Sequence, residues 1–398
     1  MPLYPLYSLL FSQTGLSDAE ISALFAIWSI VGILAEVPFG ALADRFSRRG
    51  ALMAAGVLQA AGYVLWITLP GFPAFAAGFV LWGLGGALVS GTLEALLYDG
   101  LAAVGAEEHF PRVLGRVTAV QLLAQLPTAL AATVLYSVGG YDLVGWVSAG
   151  CCLAAALLAG RLPEPPRLPE PSRLPEPPGQ DAAAPGDYLA TLRAGLVEAA
   201  ARPAVRAAVL AVALLAAVDA IEEYFPLMAH RWGVPTALNP MAILGIPVVG
   251  AAGAALGGAA GRLRPWALAL ALGSAAVALG AAGLSPFPVG LVAVALFYGL
   301  YRLVLVVLEA RLQERIDGPA RATVTSVAGL GAEVAALGLY AAWGLGGVLL
   351  VAALLCAFAV SLPRLVRGPS GSSCGDAASC GNASCGNAAS VGEVGPAR

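Results

Sequence analysis

Eleven runs of about twenty apolar residues, parted by short clusters of Gly, Pro and charge, confine this chain to a lipid bilayer. A bilayer core asks for about 20 apolar residues per helix, within a range of roughly 17 to 25. The runs fall near residues 19–41, 51–69, 74–97, 117–138, 143–160, 204–228, 237–258, 265–284, 287–310, 322–343 and 346–363. Residues 1–12 read as the outer half of a further, truncated first helix whose beginning has been lost through a misplaced start codon. Composition agrees, because 59% of the residues are apolar and 11% charged, with a mean hydropathy of +0.82. Soluble domains carry about one-quarter charged residues.

Positive charge comes from 21 arginines without a lysine, and their placement orients the chain. Cytoplasmic loops hold the excess of arginine. If both termini of a twelve-span protein are cytoplasmic, the inner side holds Arg45, Arg48, Arg49, Arg112, Arg116, Arg161, Arg262, Arg264, Arg311, Arg315, Arg364 and Arg367 among others, and the outer side only Arg231. Adding or dropping one span would scatter the arginines over both faces. The expected location is thus the inner or plasma membrane, multi-pass, with both ends inside. A formal net charge of −3, with no basic face, argues against a nucleic-acid partner. Six cysteines are too few and scattered for a disulfide framework. Cys151, Cys152 and Cys356 lie within apolar runs, as small packing residues do. Met1 to Phe11 lacks the basic start and small-residue cleavage site of a secretory signal.

The spans divide into an N-terminal half, 1–160, and a C-terminal half, 204–367, joined by a cytoplasmic segment, 161–203. That segment repeats Arg-Leu-Pro-Glu-Pro from Arg161, Arg167 and Arg173, a proline density that favours an extended, semi-rigid linker. After it, Asp187 to Arg202 reads as an interfacial helix, with Tyr188, Leu189, Leu192 and Leu196 on one stripe. The tail, 368–398, is expected to be disordered. Its Cys374, Cys380 and Cys385 lack the paired spacing of a zinc site, so neither metal nor cofactor is expected.

Counting residues 1–12 as the first span, the loop after the second span reads Gly40-Ala-Leu-Ala-Asp44-Arg45-Phe-Ser-Arg48-Arg49. It resembles the signature loop of the major facilitator superfamily, where a glycine, an aspartate and three basic residues recur at these intervals. The equivalent place after the eighth span reads Gly257-Gly258-Ala-Ala-Gly261-Arg262-Leu-Arg264, keeping the glycine and the first arginine but with Gly261 in place of Asp44. The resemblance implies an all-α fold of two six-helix bundles, and a gating latch formed by Gly40, Asp44, Arg45, Arg48 and Arg49 with Gly257 and Arg262. In this reading Asp44 sits in a short turn and accepts hydrogen bonds from neighbouring helix ends. The run Gly91-Thr-Leu-Glu94-Ala-Leu-Leu-Tyr98-Asp99 and the stretch Glu36-Val-Pro38-Phe-Gly40 are similar to the drug-efflux-like branch. The fourth span lacks that branch's arginine, and the fifth has Pro127 without the flanking glycines.

An ionisable group within a span costs at least ~2.5 kcal/mol on insertion scales, so each needs a partner, a wet cavity or a function. Glu36, Glu94 and Glu309 lie near the cytoplasmic ends of their helices, within reach of loop arginines. Arg302 lies deeper in the tenth span and is expected to pair with another helix or with substrate. Asp219, Glu222 and Glu223, spaced i, i+3 and i+4, share one helix face in the outer half of the seventh span. Carboxylates that close repel, which a shared proton or a cation relieves; a solvated outer vestibule is the other reading. Glu333 is the most isolated acid, near the middle of the eleventh span, and Gln121 with Gln125 forms a polar stripe in the fifth.

His109 and His230 fall in loops, and the spans carry no nucleophile or metal set of a membrane-embedded enzyme. The expected function is secondary transport of a small molecule by alternating access, with protons as a coupling ion and efflux of drug-like solutes as the direction. A uniporter and a non-transporting scaffold are the alternatives. A monomer in the bilayer is the expected state.

Overall fold

The computed structural model describes residues 1–45, 47–90, 92–162, 203–316 and 321–366. The proline repeat, the helix expected over 187–202 and the cysteine-bearing tail lie outside the described residues. Every regular element among the described residues is a helix. Nine of these helices are long and apolar enough to cross a membrane. Two of the nine, Glu107–Ala159 and Val324–Val366, run to 53 and 43 residues. At 1.5 Å per residue, either would be more than twice as long as a ~30 Å core is thick.

Both fold back on a glycine pair. Gly140 has φ 60° and ψ −155°, and Gly347 has φ 60° and ψ −157°, a backbone region that a side chain disfavours strongly. Beyond Gly140 the chain runs antiparallel to the third span, Arg48–Thr68, with Gly145 against Ile67 and Gly56 against Cys152 and Ala156. Beyond Gly347 it runs antiparallel to the ninth span, Pro265–Leu284, with Gly283 against Val348 and Gly280 facing Ala352. Each long helix is therefore two crossings, which recovers the eleven read from hydropathy. A short first helix, Tyr7–Gln13, precedes them.

The two turns are built alike. A Cβ on Gly139 would fall 2.6 Å from the Cβ of Leu143, and one on Gly346 would fall 2.7 Å from that of Leu350. Neighbour relations repeat as well. In the first half the second span packs on the fourth, the third on the fourth, and the third on the sixth; the second half repeats this as eighth on tenth, ninth on tenth, and ninth on twelfth. One six-span plan is thus used twice, the arrangement expected from the resemblance.

Several boundaries differ from the sequence reading. The second helix, Asp18–Arg45, runs through Gly40 and Asp44, so these residues belong to its last turns and not to a turn between helices. The fourth span is interrupted after Phe72–Val89 and resumes as Thr92–Ala102. The fifth begins earlier, at Phe110, and pauses between Leu123 and Gln125.

Short as it is, the first helix is well anchored. Leu3, Leu6, Leu9 and Phe11 are fully buried. The Phe11 ring lies 4.4 Å from Phe75 and 5.3 Å from Trp66, whose indole N–H donates to the Phe75 carbonyl at 3.1 Å. Aromatic pairs in this range stabilise by ~0.5–1.5 kcal/mol beyond their burial.

Candidate functional site

The seventh span supplies the centre of the site because it is not one helix. It runs as α-helix over Pro203–Ala216, as 3-10 helix over Ala217–Tyr224, and as α-helix again over Phe225–Arg231. Pro226 accounts for the change, since it has no N–H to offer the carbonyl of Glu222 and its ring crowds that carbonyl. A 3-10 stretch within a helix commonly marks a functional hinge. Asp219, Glu222 and Glu223 all sit on this segment, near the middle of Pro203–Arg231. All three line one cavity, and Asp219 and Glu222, three residues apart on a 3-10 helix, share a face.

The structure gives Asp219 and Glu223 different partners. Asp219 receives Arg302 Nη1 at 2.7 Å and the Tyr298 hydroxyl at 2.8 Å, both from the tenth span, Gly290–Arg315. Of the two partners expected for Arg302, the structure thus shows the helix. Glu223, 7% exposed, turns the other way and accepts hydrogen bonds from the hydroxyls of Tyr4, at 3.2 Å, and Tyr7. Glu222 stays beside Asp219 and Tyr298 at the edge of the cavity.

A cavity of about 440 Å³ lies among the second, fourth, seventh and eleventh spans. One half contributes Trp28, Ser29, Glu36 and Ser90; the other contributes Asp219, Glu222, Glu223, Glu333 and Tyr340. Ser29 donates to Glu333 at 3.1 Å, so this acid is held across the two halves. Among the described lining residues none is basic. A second cavity of about 320 Å³ lies among the first, fifth, seventh and eighth spans, lined by Tyr4, Ser8, Gln121, Gln125 and Thr128. Glu222 and Glu223 line both, so the two cavities meet at the break in the seventh span. Glu94 lies apart, on a smaller cavity of about 290 Å³ with Thr118 and Gln121.

Away from the arginine-rich loops, the halves close on each other. Arg231 donates to Asp18 in an ion pair, and the hydroxyls of Ser22 and Tyr224 are 2.8 Å apart. Phe25 sits edge-on to Tyr224 at 5.3 Å and lies 5.7 Å from Tyr340, while Gly344 packs on Ala19 and Ser22. Gln13 donates to Thr236 at 2.9 Å. These contacts shut the arginine-poor end above the central cavity.

At the arginine-rich end, both equivalent loops are fastened to the following even-numbered span. Arg48 pairs with Asp99 at the end of the fourth span. In the second copy the donor and acceptor exchange sides: Arg311 of the tenth span donates to the carbonyls of Gly261, at 3.2 Å, and Leu263. Gly257 packs on Val306 and the Leu303 carbonyl, and Arg262 is exposed. The side chains of Asp44 and Arg45 lie outside the described residues.

Sequence reasoning missed Tyr4, Tyr7, Tyr298, Ser29 and Asp99. The signal for the hinge was present, since a proline stands four residues after Glu222. Nothing in the sequence marked Tyr4, on the turn Tyr4–Leu6, and Tyr7, at the start of the first helix, as partners of an acid more than two hundred residues away.

A family model described as the Major Facilitator Superfamily matches residues 1–349. Uncharacterized MFS-type transporters from two strains of Mycobacterium tuberculosis are each 32% identical over 146 residues, 37% of this chain and 34% of theirs. The match thus spans about a third of the length of those curated relatives. Among solved structures, a point mutant of nucleoside transporter NupG superposes with a TM-score of 0.69 at 14% identity, covering 92% of this chain and 94% of that one. A D-xylose-proton symporter gives 0.65 at 15% identity over 92% of each chain. A bacterial homolog of the human lysosomal transporter Spinster, inward-facing and occupied, gives 0.66 at 16%, covering 92% of this chain and 88% of that one. Identities this low carry the fold and nothing finer.

Proposed function

The chain belongs to the Major Facilitator Superfamily, and on that premise we propose that it is a secondary active transporter moving a small molecule by alternating access between its two six-span halves. The family is one of transporters and not of enzymes. The observation that carries the reading is the cavity of about 440 Å³ between the halves, shut at one end by contacts that cross from half to half. Rocking two repeats about such a site is how repeat-built transporters expose it to each side in turn.

Finer features follow from the lining. With Asp219 neutralised by Arg302, the central cavity presents Glu36, Glu222, Glu223 and Glu333 beside Trp28 and Tyr340. Acids facing an aromatic wall suit a cationic, drug-like solute, held by charge and by cation–π contact. The same acids can carry protons, so proton-coupled efflux is the cycle proposed, consistent with the resemblance in Gly91 to Asp99. In the cell membrane the arginine-rich end is the cytoplasmic one, which makes the observed conformation inward-facing. Residues 1–160 and 204–367 act as the rocking halves. Asp44, Arg45, Arg48 and Arg49 latch the first, and Gly257 with Arg262 marks the weaker second latch.

Uptake of a compound panel into proteoliposomes, with and without a pH gradient, tests the function. Gradient-driven accumulation of a cationic solute is expected. Equilibration that ignores the gradient would make the protein a uniporter, and no movement of any compound would leave a membrane scaffold.

A further inference from the structure

Glu223 occupies a position that transport alone does not explain. It lies on the broken segment of the seventh span, at the junction of the two cavities. Its two carboxyl oxygens are each taken by a hydroxyl from the opposite half, Oε1 by Tyr4 and Oε2 by Tyr7. The other titratable groups around it are Asp219, Glu222 and Tyr224 on its own segment, Glu333 and Tyr340 from the eleventh span, Glu36 from the second, and the Met1 amine on the second cavity. From the fifth span come the neutral Gln121, Gln125 and Thr128, and from the eighth the apolar Pro240, Ile243 and Leu244. Among the described residues no basic side chain pairs with it.

We propose that Glu223 is the proton carrier of this transporter and that Tyr4 and Tyr7 tie its protonation to which end of the protein is open. The proposal rests on the transporter reading above. In the state seen here both oxygens accept hydrogen bonds from hydroxyls, which favours the carboxylate relative to the same group without them. Opening the arginine-poor end draws the first helix, which belongs to the N-terminal half, away from the seventh. Glu223 then loses both donors at once while Glu222 stays beside it in the chain, and the neutral acid gains over the carboxylate. A proton is therefore taken from water at the arginine-poor side when that end opens. It is returned to the water of the other side when the tyrosines come back. By linkage, proton binding must shift the opening equilibrium by the same factor that opening shifts proton binding. A donor to a charged acceptor is worth about tenfold or more in an equilibrium, so two hydroxyls are worth about a hundredfold.

The test needs no substrate. Spin labels at Leu69→Cys and Leu345→Cys, which are 61% and 86% exposed and lie on opposite halves at the arginine-poor end, report its opening. The full chain, with its six native cysteines replaced by alanine, is reconstituted in nanodiscs and its distance distribution followed from pH 5 to pH 9. The wild-type background is expected to shift toward the long distance in acid. Glu223→Gln, which mimics the protonated acid, should sit at the long distance throughout. Tyr7→Phe and Tyr4→Phe should each favour the open state about tenfold at high pH and flatten the profile, an effect that a packing role alone would not give. If Glu223→Gln keeps the wild-type pH response, or if Glu333→Gln abolishes it instead, the proposal is overturned. Two wild-type populations whose ratio ignores pH also overturn it but leave alternating access standing. A single population under every condition overturns both.

Discussion

Replacing Gly253 by alanine adds one methyl group at the closest approach made by any described glycine. An ideal Cβ there would stand 1.9 Å from the Gly299 carbonyl oxygen, 2.7 Å from its carbonyl carbon and 2.9 Å from its Cα. Carbon atoms pack at about 3.5–4.0 Å, and the obstacle is backbone, so no rotamer change relieves it. The eighth and tenth spans must therefore part by more than about 1 Å, and a gap of that size forfeits up to half of the dispersion well along the seam. Overpacking costs ~1–3 kcal/mol, and this site belongs at about 3 kcal/mol. The damage reaches the site, because Gly299 lies next to Tyr298 and one turn before Arg302, the two donors to Asp219. Gly258→Ala, on the same helix with nothing within 4 Å of the new atom, is the control. It should gain up to ~1 kcal/mol of helix propensity. Thermal unfolding of both purified variants in one detergent, followed by tryptophan fluorescence, reads the difference. Equal midpoints for the two would refute the packing argument.

Gly140→Ala and Gly347→Ala force a side chain into the same disfavoured backbone region, and each should cost ~1–3 kcal/mol in thermal unfolding, against no loss for Gly258→Ala. Asp219→Asn leaves Arg302 unpaired at mid-membrane and should destabilise more than Asp219→Asn with Arg302→Gln, because the double variant removes both charges. A double-mutant cycle on detergent stability reads the coupling, and additive losses would mean the pair is solvated. Asp44→Asn or Arg45→Ala should slow transport while leaving membrane insertion intact, measured as initial uptake rate per inserted molecule. An unchanged rate would reduce the loop to a topological signal.

The fold was legible in the sequence where one physical requirement acts alone. Apolar length located the crossings, and the glycine pairs at 139–140 and 346–347 stand where the two long helices fold back. Helix ends were less legible, because Asp44 and Arg45 are polar residues that nonetheless continue the second helix. The site was legible as an inventory and not as pairs. Glu333, Asp219, Glu222 and Glu223 were all singled out as acids that lipid does not tolerate alone. Their partners Ser29, Arg302 and Tyr298, Tyr4 and Tyr7 come from other helices, and helix-to-helix pairing leaves no trace in local periodicity. The single face expected for the acidic trio holds for Asp219 and Glu222 and not for Glu223, because Pro226 tightens the segment into a 3-10 helix, where residues three apart align.

Alternating access about the central cavity is the claim on which the rest depends. Gly86 lines that cavity, and a side chain there meets nothing within 4 Å, so Gly86→Cys places a thiol in the pathway without a clash. A membrane-impermeant maleimide is added from one side only to oriented vesicles of the cysteine-free chain carrying this thiol. A second sample also carries Ser22→Cys and Gly344→Cys, whose Cβ atoms would lie 3.4 Å apart across the two halves, oxidised to a disulfide. The account predicts labelling from both sides in the first sample. In the second it predicts labelling from the arginine-rich side only, with access from the other side restored by reductant. Labelling from a single side under every condition, or labelling from both sides with the disulfide in place, would contradict it.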